Sequence, residues 1–214
     1  MADALNEGLV MKTLRWAYKN ALEGTKGVDS AQALATEYLS TDGELRDQIN
    51  RLIRWQNTKA ATAGFLTGLG GIITMPATIP TNIAVVLFVQ VRMIAAIAYM
   101  CGQDLKSDRV RTLVYACLVG DGAKEIFRDF GVAVGRKLTT TAVSKISGKT
   151  LAAINRRVGF RLLTRFGEKG VINLGKIVPL VGGIISATVD SVATNTVGNF
   201  ARNTFLPLAD QRAA

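Results

Sequence analysis

The residues best suited to chemistry in this sequence are the arginines of one predicted helix. Arg157, Arg161 and Arg165 recur every four residues, so they line one flank of the helix predicted over 149–166. An apolar stripe runs beside them, where long arginine side chains can cover apolar surface and keep their guanidinium groups in water. This pattern is typical of a helix that lies on an anionic surface with its apolar side down.

The positive charge of the chain is concentrated around this helix. The 214 residues include 26 lysines and arginines against 16 acidic residues, a net charge of +10. Ten of those basic side chains, but one acidic side chain, lie in residues 136–176. Each basic group near an anionic bilayer contributes about 1 kcal/mol, so the segment favours an anionic membrane surface as partner. The candidate headgroup ligands are Lys149, Arg156, Arg157, Arg161, Arg165, Lys169 and Lys176.

Two other interpretations of the basic segment stay open. The segment could be a solvated face that pairs with acids of the net-neutral residues 1–59. It could also be the binding face of a soluble helical module whose partner is a protein or a nucleic acid. Nucleic acid is less favoured than lipid, because Phe160 and Phe166 are the only aromatic residues in the segment and no nucleic-acid-binding motif is recognisable.

The composition excludes several common catalytic and metal sites. The chain has no histidine, which excludes a histidine base and a histidine-containing metal site. Cys101 and Cys117 are too few for a zinc site of four thiolates, and we expect both to be buried. The sequence therefore predicts a protein that is not an enzyme and has no cofactor and no metal. An apolar small molecule stays open as a ligand of the glycine-rich segments described next.

Apolar, glycine-rich stretches indicate an all-α fold, a single-domain helical bundle with its apolar helices in the centre and the C-terminal part. Residues 60–91 contain no charged side chain, and a second apolar stretch begins at Ile177. Glycines in both stretches allow two helix backbones to approach closely, which predicts either tight helix packing or membrane insertion. These glycines are Gly64, Gly68, Gly70, Gly71, Gly182 and Gly183.

The helix predicted over Ile83–Cys101 is apolar nearly all round and carries Arg92 in its middle. It is close to the roughly 20 residues that span a bilayer, but a central arginine costs about 2.5 to 3.5 kcal/mol on insertion scales. We therefore favour the central helix of a bundle over membrane insertion. A buried arginine needs a partner, and Asp190, alone among acids in the apolar residues 177–201, is the candidate to pair with Arg92.

Local signals predict where several helices begin and end. Ser30 is a candidate N-cap, Ser107 or Asp108 is expected to cap a later helix, and Gly24 and Gly102 follow predicted helix ends. Residues 167–170, Gly-Glu-Lys-Gly, are predicted to be a turn between the basic helix and a short segment from Val171. The organisation predicted is a net-neutral helical segment over 1–59, a core over 60–205 that includes the basic segment 136–176, and a tail over 206–214.

Two long stretches resemble the EcsC family. They are GLGGIITMPATIPTNIAVVLFVQVRMIAAIAYMCGQDLKSDRVRTLVYACLVGDGAKE and INRRVGFRLLTRFGEKGVINLGKIVPLVGGIISATVDSVATNTVGNFARNTF, so the likeness spans roughly residues 60–205. Family members often have Asp-Leu-Pro where this chain has Thr78-Ile79-Pro80, so a role of that aspartate would not carry over. The resemblance implies a bacterial α-helical protein, cytoplasmic or membrane-associated, with no established reaction or cofactor. The N-terminal residues lack a signal-peptide pattern, and we expect a cytoplasmic protein peripheral to the inner face of the cell membrane.

Overall fold

The computed structural model describes residues 6–25, 27–60, 81–132, 143–174 and 183–206, with the backbone alone described at 59–60, 81–82, 167–174 and 183–193. Within these ranges the chain forms helices and no strand, which confirms the all-α prediction. The eight helices of the described part are α1 (Glu7–Glu23), α2 (Ala31–Leu39), α3 (Leu45–Ala60), α4 (Thr81–Met100), α5 (Asp108–Cys117), α6 (Gly122–Asp129), α7 (Gly148–Leu174) and α8 (Gly183–Phe205).

Several helix ends lie where the local sequence predicts them. The Ser30 hydroxyl accepts a hydrogen bond from the amide of Ala33 at 3.1 Å, and Ser107 caps α5 in the same way. Gly24 and Gly102 follow α1 and α4 with φ angles of 77° and 76°. Glycine adopts this left-handed conformation at little cost, so it commonly stands just past a helix end. The predictions at Ser30, Gly24 and Gly102 are confirmed, and of the two candidates Ser107 and Asp108 the N-cap is Ser107.

Helix α4 is the centre of the bundle. Helices α1, α2, α3, α5 and α8 all pack against it, and every residue from Leu87 to Ala98 is buried. Among the described helices, α4 alone is long and apolar enough to cross a membrane, with a mean hydropathy of 2.1 over Ile83–Met100. However, 83% of that window is buried inside the protein. An apolar surface covered on all sides by other helices is typical of a bundle core.

The two polar residues in the middle of α4 have partners inside the protein. The Gln90 side-chain amide donates to the hydroxyl of Thr194 at 3.2 Å, which joins α4 to α8. Arg92 is 6% exposed, and its Nε donates to the carbonyl oxygen of Asp29 at 2.6 Å. Burial lowers the pKa of Arg92 below its usual value. The side chain of Asp190 lies outside the described part, so the predicted Arg92–Asp190 pair stays a prediction.

The turn predicted at residues 167–170 is wrong. Helix α7 continues through Gly167 and Gly170 to Leu174, and so joins the basic helix and the short segment from Val171 into one element of 27 residues. A glycine inside a helix costs only about 1 kcal/mol relative to alanine. Extending an existing helix adds one hydrogen bond for each residue ordered, whereas starting a new helix is unfavourable, so two glycines do not suffice to end it.

Glycines bring helix backbones close together at two described positions. A Cβ atom added at Gly159 of α7 would lie 2.9 Å from Cγ of Glu7, and one added at Gly198 of α8 would lie 3.0 Å from two carbons of Ile53. Helices α1 and α7, and likewise α3 and α8, can therefore pack closely only because these positions lack a side chain. The sequence predicts this role for six other glycines. Gly183 begins α8. The other five lie outside the described residues: Gly64, Gly68, Gly70, Gly71 and Gly182.

Candidate functional site

The cations of α7 divide between two sides of the helix. One side contacts α6 and the end of α5, and it carries Arg157, Arg161 and Arg165. The other side is exposed and carries Lys149 and Arg156. The sequence prediction had placed all five in one group, because the helical period alone does not show which flank meets a neighbouring helix.

Two arginines bridge α7 to α6. The Arg161 guanidinium forms an ion pair and hydrogen bond with Glu125, and Arg157 lies 3.5 Å from the Asp129 carboxylate. All four side chains are partly exposed, so each pair contributes modestly to stability, on the order of 0 to 1 kcal/mol. These acids belong to α6 and not to residues 1–59, which the alternative interpretation had named as the source of partners.

Arg165 meets the C-terminal end of α5. Its guanidinium donates to the carbonyl oxygen of Leu118 at 3.1 Å, and its central carbon lies 5.8 Å from the centroid of the Phe166 ring. A cation at this position satisfies an unpaired helix carbonyl and interacts favourably with the helix dipole. Arg157, Arg161 and Arg165 therefore link α7 to α5 and α6, which leaves them less available to headgroups than Lys149 and Arg156. The prediction that these three arginines bind headgroups stays a prediction.

The exposed side of α7 combines cations with an aromatic ring. Lys149, Arg156 and Phe160 are all exposed and fall on one stripe of the helix, and Phe160 keeps 54% of its surface in solvent. Neither Lys149 nor Arg156 pairs with a carboxylate of the described residues. We call these three residues the outer face of α7. The sequence does not predict a role for Phe160. It lies off the apolar stripe of the helix, so the helical period does not indicate what this side chain contacts.

Two of the predicted headgroup ligands lie outside the described side chains. The backbone of Lys169 belongs to α7, but its side chain is not described, and Lys176 lies outside the described residues. The prediction that both bind headgroups stays a prediction. Lys145, which precedes α7, is exposed.

Three groups that could take part in catalysis are buried or paired, whereas Cys101 is partly exposed and the expectation that both cysteines are buried is wrong for it. Cys117 is buried, and burial raises the pKa of its thiol to about 12, far from that of a reactive thiolate. Asp108 pairs with Arg111 at 2.8 Å, and Asp121 pairs with Lys124 at 2.7 Å, both three residues apart on a helix. No group of three or more cysteine, aspartate or glutamate residues in the described ranges has the arrangement of a metal site.

Comparison with known proteins places the chain in one family. The model of the EcsC protein family matches residues 10–206, and so it covers most of the chain, including the greater part of the N-terminal segment that the sequence resemblance had left out. No curated protein and no solved structure matches this chain.

Proposed function

The chain belongs to the EcsC family, and from this premise we propose that it is a non-catalytic accessory or regulatory protein that binds anionic lipid at the inner face of a bacterial cell membrane. The outer face of α7 would contact the bilayer. The protein would be cytoplasmic and peripheral, with α4 kept in the bundle core.

The observation that carries this proposal is the exposure of Phe160 beside two cations that have no carboxylate partner in the described ranges. An aromatic ring that is 54% exposed on a charged helix face is costly to leave in water. At a bilayer, the ring can enter the boundary between headgroups and acyl chains, while Lys149 and Arg156 meet the phosphates. The same residues offer a single aromatic ring to nucleic acid, where successive bases need several stacking partners.

The binding energy available from this face predicts weak, reversible association. Lys149 and Arg156 contribute about 1 kcal/mol each near an anionic surface, and burial of the exposed part of Phe160 contributes a similar amount. The total of about 3 kcal/mol corresponds to an association constant on the order of 10² M⁻¹. A single myristoyl chain gives about 10⁴ M⁻¹ and already fails to anchor a protein stably. A regulator that leaves the membrane readily fits this range.

Vesicle co-sedimentation tests the proposal. We expect binding to vesicles of phosphatidylcholine mixed with phosphatidylglycerol and little binding to phosphatidylcholine alone. The K149E/R156E variant should lose the preference for anionic vesicles, and F160A should weaken binding to them about fivefold, because about 1 kcal/mol of apolar burial is lost. Both changes replace exposed residues, so the fold should be kept, which circular dichroism verifies.

A variant with the same change in net charge serves as the control. Lys124 and Arg128 are exposed on α6, outside the outer face of α7, and K124E/R128E should bind anionic vesicles more strongly than K149E/R156E does. Equal loss in both double variants, or no preference of the unchanged protein for phosphatidylglycerol, would overturn the proposal. Binding to single-stranded RNA without binding to vesicles would instead support the soluble module.

A further inference from the structure

A second cationic site lies between α1 and the start of α5, and it shares no residue with the outer face of α7. It is a pocket of about 200 Å³ whose lining includes four cationic side chains. Arg15 and Lys19 come from α1, Lys106 from the turn after α4, and Arg111 from the first turn of α5. Among the described residues, Glu23 is the one acidic side chain that lines it. We call it the α1–α5 pocket.

The acids around the pocket leave positive charge in excess. Arg111 pairs with Asp108 at 2.8 Å, but this carboxylate is 72% exposed, so the pair is weak and easily shared. The Asp104 carboxylate accepts a hydrogen bond from the backbone amide of Lys106 at 2.9 Å. Arg15, Lys19 and Lys106 pair with no carboxylate of the described residues. Even with both aspartates and Glu23 counted, the cations outnumber the acids.

The floor of the pocket is fixed by buried contacts. The hydroxyl of Tyr18 donates to the carbonyl oxygen of Leu105 at 2.8 Å, and the Tyr18 ring packs edge-on against Tyr115 with ring centroids 5.7 Å apart. These contacts hold α1 against the turn that carries Lys106. The backbones of all four cationic residues are therefore positioned before any ligand arrives, which lowers the entropy cost of binding.

We propose that the α1–α5 pocket binds a phosphate monoester. Its volume lies below the roughly 300 to 1,000 Å³ of sites for drug-sized ligands, so it suits a small group. Two guanidinium groups can each bind phosphate oxygens in a fork, and two lysines add point charges. A monoester carries close to two negative charges at neutral pH, so it gains more from four cationic lining residues than a singly charged phosphodiester or carboxylate does. The monoester could belong to a soluble metabolite or to a lipid headgroup.

Calorimetric titration with glycerol 3-phosphate, and co-sedimentation with vesicles that contain phosphatidic acid, test the two sources. We expect saturable binding of at least one of these probes. The R15Q/K19Q variant should weaken that binding at least about tenfold, because each lost charge-assisted hydrogen bond is among the stronger ones in proteins. The control K12Q/K124Q removes two exposed cations outside the pocket and should change the affinity less than about threefold.

The outcomes separate this inference from the proposed function. Binding of glycerol 3-phosphate identifies a soluble ligand, and binding of phosphatidic acid alone identifies a headgroup. Phosphatidylglycerol is a phosphodiester, so the K149E/R156E experiment can fail while this one succeeds, and the reverse also holds. Absence of saturable binding to either probe would overturn the inference. Equal loss of affinity in R15Q/K19Q and K12Q/K124Q would overturn it as well, since that result indicates a general effect of net charge.

Discussion

Replacing Gly198 by alanine should destabilise the protein even though alanine is the better helix former. Gly198 lies in α8, where α3 and α4 both approach it. A Cβ atom there would lie 3.0 Å from Cγ1 and from Cγ2 of Ile53, and 3.1 Å from Cε of Met93. Ile53 and Met93 are buried, so the neighbours have little room to move away.

The expected magnitude is a difference between two opposing terms. The change from glycine to alanine favours the helix by about 1 kcal/mol. Overpacking of a dense core costs about 1 to 3 kcal/mol, and the upper half of that range applies because the β-branched side chain of Ile53 has essentially one rotamer in a helix. The net loss in the free energy of unfolding should be about 1 to 2 kcal/mol. For a chain of this size, the Tm should fall by about 2 to 8 °C.

Urea unfolding followed by circular dichroism measures this loss. G148A is the control, because nothing lies within 4 Å of a Cβ atom added at Gly148, and it should leave the stability unchanged or slightly higher. A double-mutant cycle with I53A identifies the contact responsible: I53A should cost less in the G198A background, by about 0.5 to 3 kcal/mol. If G198A is as stable as the unchanged protein and shows no coupling to I53A, the close approach of α3 and α8 is refuted.

Two further predictions concern buried groups. Cys117 is fully buried and Cys101 is partly exposed, so a thiol reagent should label Cys101 in the native protein and Cys117 only after addition of urea. Mass spectrometry of the labelled peptides measures both reactions. Rapid labelling of both cysteines in the native protein would contradict the described core. Burial raises the pKa of Tyr18 and of Tyr115 above the ordinary value of 10.0. The folded state therefore holds these two protons more tightly than the unfolded state. The resulting contribution to stability is fully present below about pH 10 and is lost as the pH rises above it. The free energy of unfolding should therefore fall between neutral pH and about pH 11, with tyrosinate absorbance of these two rings rising only on unfolding; their ionisation in the folded protein would refute the reasoning.

The sequence predicts best the features that depend on neighbouring residues. An N-cap such as Ser30 or Ser107 depends only on its own hydroxyl and the helix turn that follows it. A helix end at Gly24 or Gly102 depends only on the backbone angle that glycine allows. The interior glycines of α7 obey a different balance. Gly167 disfavours a helix by its own propensity, but the gain from extending a long helix outweighs this cost. That gain depends on all of α7, so the residues next to Gly167 do not reveal it.

The candidate site was harder to predict, because partners distant in sequence decide what each cation does. Glu125 lies 36 residues before Arg161, and nothing in the helical period of either segment indicates that the two meet. The α1–α5 pocket is a stronger example, since Arg15 and Arg111 belong to segments that are individually close to neutral. Charge arithmetic along the chain finds blocks such as 136–176, and it misses sites assembled from several helices.

The partition of cations on α7 changes what the net charge means for function. Of the basic residues in 136–176, Arg157 and Arg161 are balanced by acids from α6, and Arg165 serves the end of α5. Among the described residues of this segment, the exposed cations outside these contacts are Lys145, Lys149 and Arg156, a minority of the charge counted in the sequence. A face with these few cations binds weakly by itself. If the outer face of α7 and the α1–α5 pocket reach the same bilayer, binding at one site would raise the effective concentration at the other. The pocket would then add a preference for monoester over phosphodiester headgroups to the weak attraction of the outer face of α7.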